Sequence, residues 1–131
     1  MPVTYVIKFY VVPEQRANFL QLLGTVLDAM RGEPTFHQAV LHRDPASEYR
    51  FMLYETWESH EEVLNVQMKR SYRDAWHDAL PGLLACDRGI EIWEPLRSDQ
   101  SPRSRHQTWI DHDQWRLLRP PSGVNVPVTE K

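Results

Sequence analysis

The run Tyr49-Arg-Phe-Met-Leu-Tyr-Glu-Thr-Trp57 passes straight into Ser59-His-Glu-Glu62, so an aromatic-rich strand hands the chain over to a helix start. Strand side chains alternate, which puts Phe51, Leu53, Glu55 and Trp57 on one face and Arg50, Met52, Tyr54 and Thr56 on the other. Both faces carry apolar groups, so both are expected to be covered. Ser59-x-x-Glu62 has the form of a capping box: the hydroxyl accepts the amide three residues on, and the Glu side chain returns to the cap.

The rest of the chain supplies matching elements. Val3 to Val12 is another β-prone run, interrupted by one charge at Lys8. Pro13 sits where a helix begins and its missing amide is tolerated. Phe19, Leu22, Leu23, Val26, Leu27 and Met30 then recur at the spacing of an amphipathic stripe, which Gly32 ends. Gly24 inside that stripe costs about 1 kcal/mol relative to Ala, which predicts close packing there. Phe36 to Arg43 forms a hairpin with the Tyr49 strand through Asp44-Pro45-Ala46-Ser47-Glu48. Ser71-x-x-Asp74 is a second, weaker helix start, so residues 60–80 are expected as two pieces broken near Lys69-Arg70. Pro81-Gly82 breaks the second piece, with Leu83 and Leu84 able to add one turn. Gly89 to Glu94 gives a fourth strand with Ile90 and Ile92 on one face.

The order βαββαβ with right-handed crossovers predicts an α+β, ferredoxin-like fold: a four-stranded antiparallel sheet with both helices on one face. The bare face then needs a cover, most simply the sheet of a second copy.

Composition excludes some functions. A net charge of −3 over 131 residues disfavours a nucleic-acid partner, which calls for a basic field. The single cysteine, Cys86, cannot form an internal disulfide and fits a reducing compartment. The start of the chain has no leader-like segment, and no apolar run is long enough to span a bilayer, so a cytoplasmic protein with no membrane partner is expected. His37 and His42 stand five apart on a strand and face opposite ways, so no metal site is expected. From Arg97 onward Ser, Arg, Gln and Pro dominate, which divides the chain into a body, residues 1–95, and an extension, residues 96–131. Trp109, Ile110, Trp115, Leu117 and Leu118 are costly to leave in water, so the extension is expected to be ordered and docked on its own or a partner subunit.

At Phe51-Met-Leu-Tyr-Glu-Thr-Trp57-Glu-Ser, preceded by Leu41-His-Arg-Asp44, the chain resembles the antibiotic biosynthesis monooxygenase (ABM) family. That family of small dimeric α/β barrels includes quinol monooxygenases and some haem-degrading enzymes. The junction at Pro13, Gly32-Glu33-Pro34 and Ser71-Tyr-Arg-Asp-Ala-Trp-His77 fit the same template, over about residues 3–95. The resemblance implies a homodimer whose two sheets pack face to face as a barrel, each protomer keeping a pocket between sheet and helices. It also implies no metal, flavin or nicotinamide cofactor: a quinol-like or polycyclic phenolic substrate itself reduces O2. The haem-degrading branch places an Asn on the first strand, a Trp in the second helix and a His ligand further on. Here those positions hold Ile7, Val66 or Gln67, and His77.

Chemistry of this kind needs a base near neutral pKa, donors for phenolate oxygens and apolar walls. His77 is the candidate base, with an ordinary pKa near 6.5. It stands five residues after Tyr72, on the flank of an inward stripe formed by Tyr72, Ala75, Trp76, Ala79 and Leu83. Tyr72 is the second catalytic candidate, and Asn65, Trp57 and Trp76 are candidate substrate-binding groups. Glu55 on a buried face needs a partner, either Arg43 or Lys8, or else a raised pKa makes it an acid–base group. Two rival functions fit the same fold. One is haem binding through His77; the other is a non-catalytic binding or structural dimer with no cavity above roughly 300 Å³.

Overall fold

β1 (Val3–Tyr10) is the central strand and pairs antiparallel with β3 (Arg50–Trp57) along its whole length, Val3 opposite Trp57 and Tyr10 opposite Arg50. On its other side lies β4 (Gly89–Trp93), while β2 (Phe36–Arg43) flanks β3, giving the order β2-β3-β1-β4. This is the predicted ferredoxin-like sheet, seen in a computed structural model that describes residues 1–102. The apolar residues of the extension from Trp109 onward lie outside the described residues. A β-bulge at His37 shifts the β2 register between Phe36 and Gln38, a detail that alternation alone does not show.

The turn Asp44–Glu48 closes as its polar residues require. The Asp44 carboxylate accepts the Ala46 amide at 2.8 Å and Arg50 Nη1 at 3.0 Å. α1 (Arg16–Met30) follows a 3₁₀ turn at Pro13–Gln15 and buries Phe19, Leu23, Val26 and Met30. α2 (His60–Asn65) starts at Ser59, whose hydroxyl accepts the Glu62 amide at 3.0 Å. The Glu62 side chain does not return to the cap; it accepts from Thr35 Oγ1 and Gln67 Nε2 instead. Two 3₁₀ turns, Gln67–Lys69 and Ser71–Arg73, lead to α3 (Asp74–Leu83), with the expected break at extended Arg70. α3 runs through Pro81 rather than stopping there, at the loss of the amide that would bond the His77 carbonyl.

Both main helices pack on the face shared by Tyr5, Ile7, Phe9, Phe51, Leu53 and Trp57. Phe19 of α1 sits 5.1 Å from Phe9, 5.0 Å from Phe51 and 5.7 Å from Trp76 of α3, ring centre to ring centre. This aromatic knot fixes where α1 and α3 sit, and hence where the space between helices and sheet opens. The far face is less apolar than the strand sequences suggest. Partly buried Val6, Val40, Met52 and Tyr54 share it with Lys8, His42 and Arg50.

Gly24 does not mark close packing. A Cβ built on it meets nothing within 4 Å. Without a steric objection only the helix propensity remains, so Gly24→Ala is expected to stabilise the fold by about 0.5–1 kcal/mol. Denaturant titration checks this, and a loss of stability would mean that a partner's surface occupies the space.

Candidate active site

An apolar cavity of about 200 Å³ lies between the helix-covered face of the sheet and the helices. Ile7 and Leu53 floor it, Leu23, Val26 and Met30 of α1 form one wall, and Trp76 of α3 forms part of another. Ile90 and Ile92 of β4 border it, each about half exposed. Its volume lies under the roughly 300 Å³ at which drug-sized sites begin, so it suits a one- or two-ring molecule better than a polycycle.

Charged groups collect at one part of this wall. Glu55, 7% exposed, accepts a hydrogen bond from Trp57 Nε1 at 2.6 Å. Burial raises its pKa and outweighs the opposing effects of the Trp57 bond and of the Arg73 and Arg88 charges. Neither Arg43 nor Lys8 pairs with it. Lys8 belongs to the far face, and Arg43 lies opposite Phe51, four residues along β3; Glu55 faces Tyr5 and Ala39 instead.

Arg73 is also 7% exposed, and its guanidinium lies 5.8 Å from the Trp57 ring centre and 5.5 Å from that of Tyr72. Its Nε is buried without a hydrogen-bond partner. Arg88, in the loop before β4, lines the same cavity, and its burial, together with the like charge of Arg73, lowers its pKa against the pull of Glu55.

His77 is half-buried, four residues after Arg73 on the same side of α3, and lines the cavity. Burial lowers its pKa, as do the Arg88 and Arg73 charges, while Asp74 and Asp78 pull the other way. The imidazole is therefore neutral near pH 7 and able to accept a proton. On the sheet side Tyr5 OH lies 2.7 Å from His60 Nδ1. Burial, then the charge of Glu55, pushes the Tyr5 phenol up to about 12, so it stays protonated. Among the described residues no group of three His, Cys, Asp or Glu side chains is placed to hold a metal ion. Nor is any helix there long and apolar enough to cross a membrane.

The model of the family described as "Antibiotic biosynthesis monooxygenase" matches residues 2–82, more than half of the chain. The chain belongs to the antibiotic biosynthesis monooxygenase family. A relative from Pestalotiopsis microspora, named "Putative monooxygenase", is 24% identical over 108 residues, covering 82% of this chain and 90% of its own. Rv0793 from Mycobacterium tuberculosis superposes with a TM-score of 0.68 at 19% identity, over 76% of this chain and all of its own. SnoaB from Streptomyces nogalater, a cofactor-independent oxygenase solved as a mutant, gives a TM-score of 0.64 at 16% identity, over 74% and 95%. The structural matches share the fold, and family membership supports a monooxygenase-type function.

Within this ABM fold the expected site residues separate. His77 and Trp76 line the cavity, as do Glu55, Arg73, Arg88, Tyr5 and His60. Trp57 is wholly buried beneath the site and reaches it through Glu55 and Arg73. Asn65 is exposed at the end of α2 and does not line the cavity. Tyr72 is turned to a polar cluster under the broken helix, where its hydroxyl donates to Glu33 Oε2 at 3.0 Å. The inward seam is Arg73, Trp76, Leu80 and Leu83, with Ala75 exposed.

Tyr72 therefore holds the lining helix in place. Glu33 accepts from Tyr72, from Gln67 Nε2 and from Arg70, with Gln67 fully buried. Partial burial opposes the Glu33 charge, but bonds from Gln67 and Tyr72 and the Arg70 guanidinium outweigh it and hold its pKa below the ordinary value. A depressed folded pKa gives stability that is complete above the unfolded pKa, near 4.5, and is lost as pH falls below it. Tyr72→Phe is expected to cost about 1 kcal/mol at neutral pH and to shrink that acid-side loss. Turnover is expected to persist. Paired melts at neutral and acid pH, together with oxidation rates, check both; a large fall in kcat at unchanged stability would return Tyr72 to the chemistry.

Proposed function

We propose that this protein is a cofactor-independent monooxygenase that oxidises a small quinol-like or phenolic ring with O2. The observation that carries the reading is a half-buried His77 lining an apolar cavity that also holds two arginines. His77 takes the phenolic proton and the arginines stabilise the phenolate. The electron-rich ring passes an electron to O2, and the resulting radical pair joins as a carbon–oxygen bond. Loss of water from the hydroperoxide leaves a quinone, so the ring supplies all four electrons: one oxygen atom enters it and the other leaves as water.

Two copies packed by their far sheet faces give the homodimer. Val6, Val40, Met52 and Tyr54 supply the apolar part of that contact, and sedimentation at micromolar concentration tests it. A folded single chain would refute the dimer. The exposed thiol of Cys86 suits the reducing cytoplasm, where we place the protein.

O2 uptake with a panel of one- and two-ring hydroquinones tests the activity. Rates no faster than buffer would refute it. The cavity volume favours a second reading, a non-catalytic binder of small rings, which predicts saturable binding of the same panel without O2 uptake. Haem binding through His77 fits poorly in 200 Å³; it predicts a Soret band on haem addition that His77→Ala removes.

A further inference from the structure

We propose that the cavity takes an aromatic ring bearing an ionised carboxylate, seated with its acid group against Arg73 and Arg88. The inference rests on the reading above that this cavity is the ligand site, and it adds the chemical class of the ligand. Arg73 is 7% exposed, and its Nε, one of the strongest donors available to a side chain, is buried with no partner. The Trp57 and Tyr72 rings lie near its guanidinium and soften the charge, but Nε itself has no acceptor. Buried donors are almost always satisfied, so this orphan leaves the Arg73 guanidinium short of a partner.

Arg88 brings a second guanidinium to the same wall, and among the described residues it forms no ion pair. The one acidic side chain lining the cavity is Glu55, already bonded to Trp57 and disposed by burial toward its neutral form. Tyr5, His60 and His77 face the same space and supply no carboxylate. Asp74 and Asp78 act on His77 from its own helix, and α1 contributes only Leu23, Val26 and Met30. The cavity thus holds one to two uncompensated positive charges beside an otherwise apolar wall.

A neutral quinol leaves that charge and the Arg73 donor unanswered. A simple phenol ionises near pKa 10, so at neutral pH it brings a negative charge only after giving up a proton. A carboxylate arrives charged, and its two oxygens match the fork of a guanidinium. About 200 Å³ limits the body to one or two rings, which describes a hydroxylated aromatic acid.

Anaerobic titration of the full-length protein, followed by tryptophan fluorescence, tests this with 2,5-dihydroxybenzoate, its methyl ester and hydroquinone. The acid is expected to bind about tenfold to a hundredfold more tightly than either neutral ring. Arg88→Gln is expected to remove most of that margin. Arg73→Gln is expected to remove more, and if it fails to fold, the half-exposed Arg88 still decides the matter. Affinity for the acid is expected to fall as pH rises and Glu55 ionises beside it, a trend that Glu55→Gln flattens. Equal affinities for acid and ester, or equal weakening of both by Arg88→Gln, would overturn the inference. Because no O2 is present the titration reads binding alone, and an acid that binds selectively but is not oxidised once O2 is admitted would sink the oxygenase reading and leave this one standing.

Discussion

His77→Ala is expected to lower kcat/KM for the O2-dependent oxidation by about 10²- to 10⁴-fold, the range a positioned general base supplies. Ligand affinity in the absence of O2 should change far less, because the apolar wall and the arginines remain. The pH profile carries a sign that can be checked. Neutral imidazole is the active form, so activity is lost as pH falls through the His77 pKa. Burial first, then the Arg88 and Arg73 charges, place that pKa below its ordinary 6.5. The acid limb should therefore fall under that value, with a plateau above it. Glu55 lines the same cavity, and Glu55→Gln separates its contribution. An unchanged kcat/KM in His77→Ala, or an acid limb above 6.5 that persists in Glu55→Gln, would remove the imidazole from the mechanism.

The second large effect is on stability. Trp57→Ala is expected to cost about 3–5 kcal/mol, as large aromatic truncations in cores do. Trp57 is fully buried, lies 5.1 Å from Phe36 ring to ring, and gives its N–H to the buried Glu55 carboxyl. A domain of this size has only about 5–15 kcal/mol in total, so the variant should melt some 15 °C or more lower. Trp57→Phe separates packing from hydrogen bonding: it keeps a ring, removes the donor, and should cost about 1–3 kcal/mol. Because the folded pKa of Glu55 is raised, the native state binds its proton more tightly than the unfolded chain does. Stability therefore falls as pH rises from the unfolded value to the folded one, and losing the Trp57 donor enlarges that fall. Denaturant titrations from about pH 4 to about pH 8 measure both effects. A loss below 1 kcal/mol in Trp57→Ala would mean that Trp57 is not the plug its burial implies.

Much of the scaffold was legible from local pattern. The α1 stripe buries as spaced, Ser59 caps α2, Asp44 closes the hairpin, and Arg70 interrupts the second helical segment. Each depends on residues within one or two turns of one another, so near neighbours in sequence are enough to read it. Gly24 misled because a propensity cost was taken for a packing reason, and the space beside it is open. Tyr72 misled because an aromatic on a lining helix was read as facing the cavity, whereas the carboxylate of Glu33, distant in sequence, holds its hydroxyl. Tyr5 and His60 gave no signal of their own; a buried-face tyrosine announces a polar partner only when the opposite element is known.

The sequence alone determined the order of elements and that His77 and Trp76 share a helix, since periodicity and caps are short-range properties. The tertiary structure alone decided which charges meet at the cavity. Arg73 turns inward at the same helical spacing as Trp76, Leu80 and Leu83, and only the packed structure shows that this seam faces the sheet. Glu55 meets Tyr5 because strand register, which composition does not encode, sets what lies opposite. Arg88 arrives from a loop whose path only the packed sheet defines.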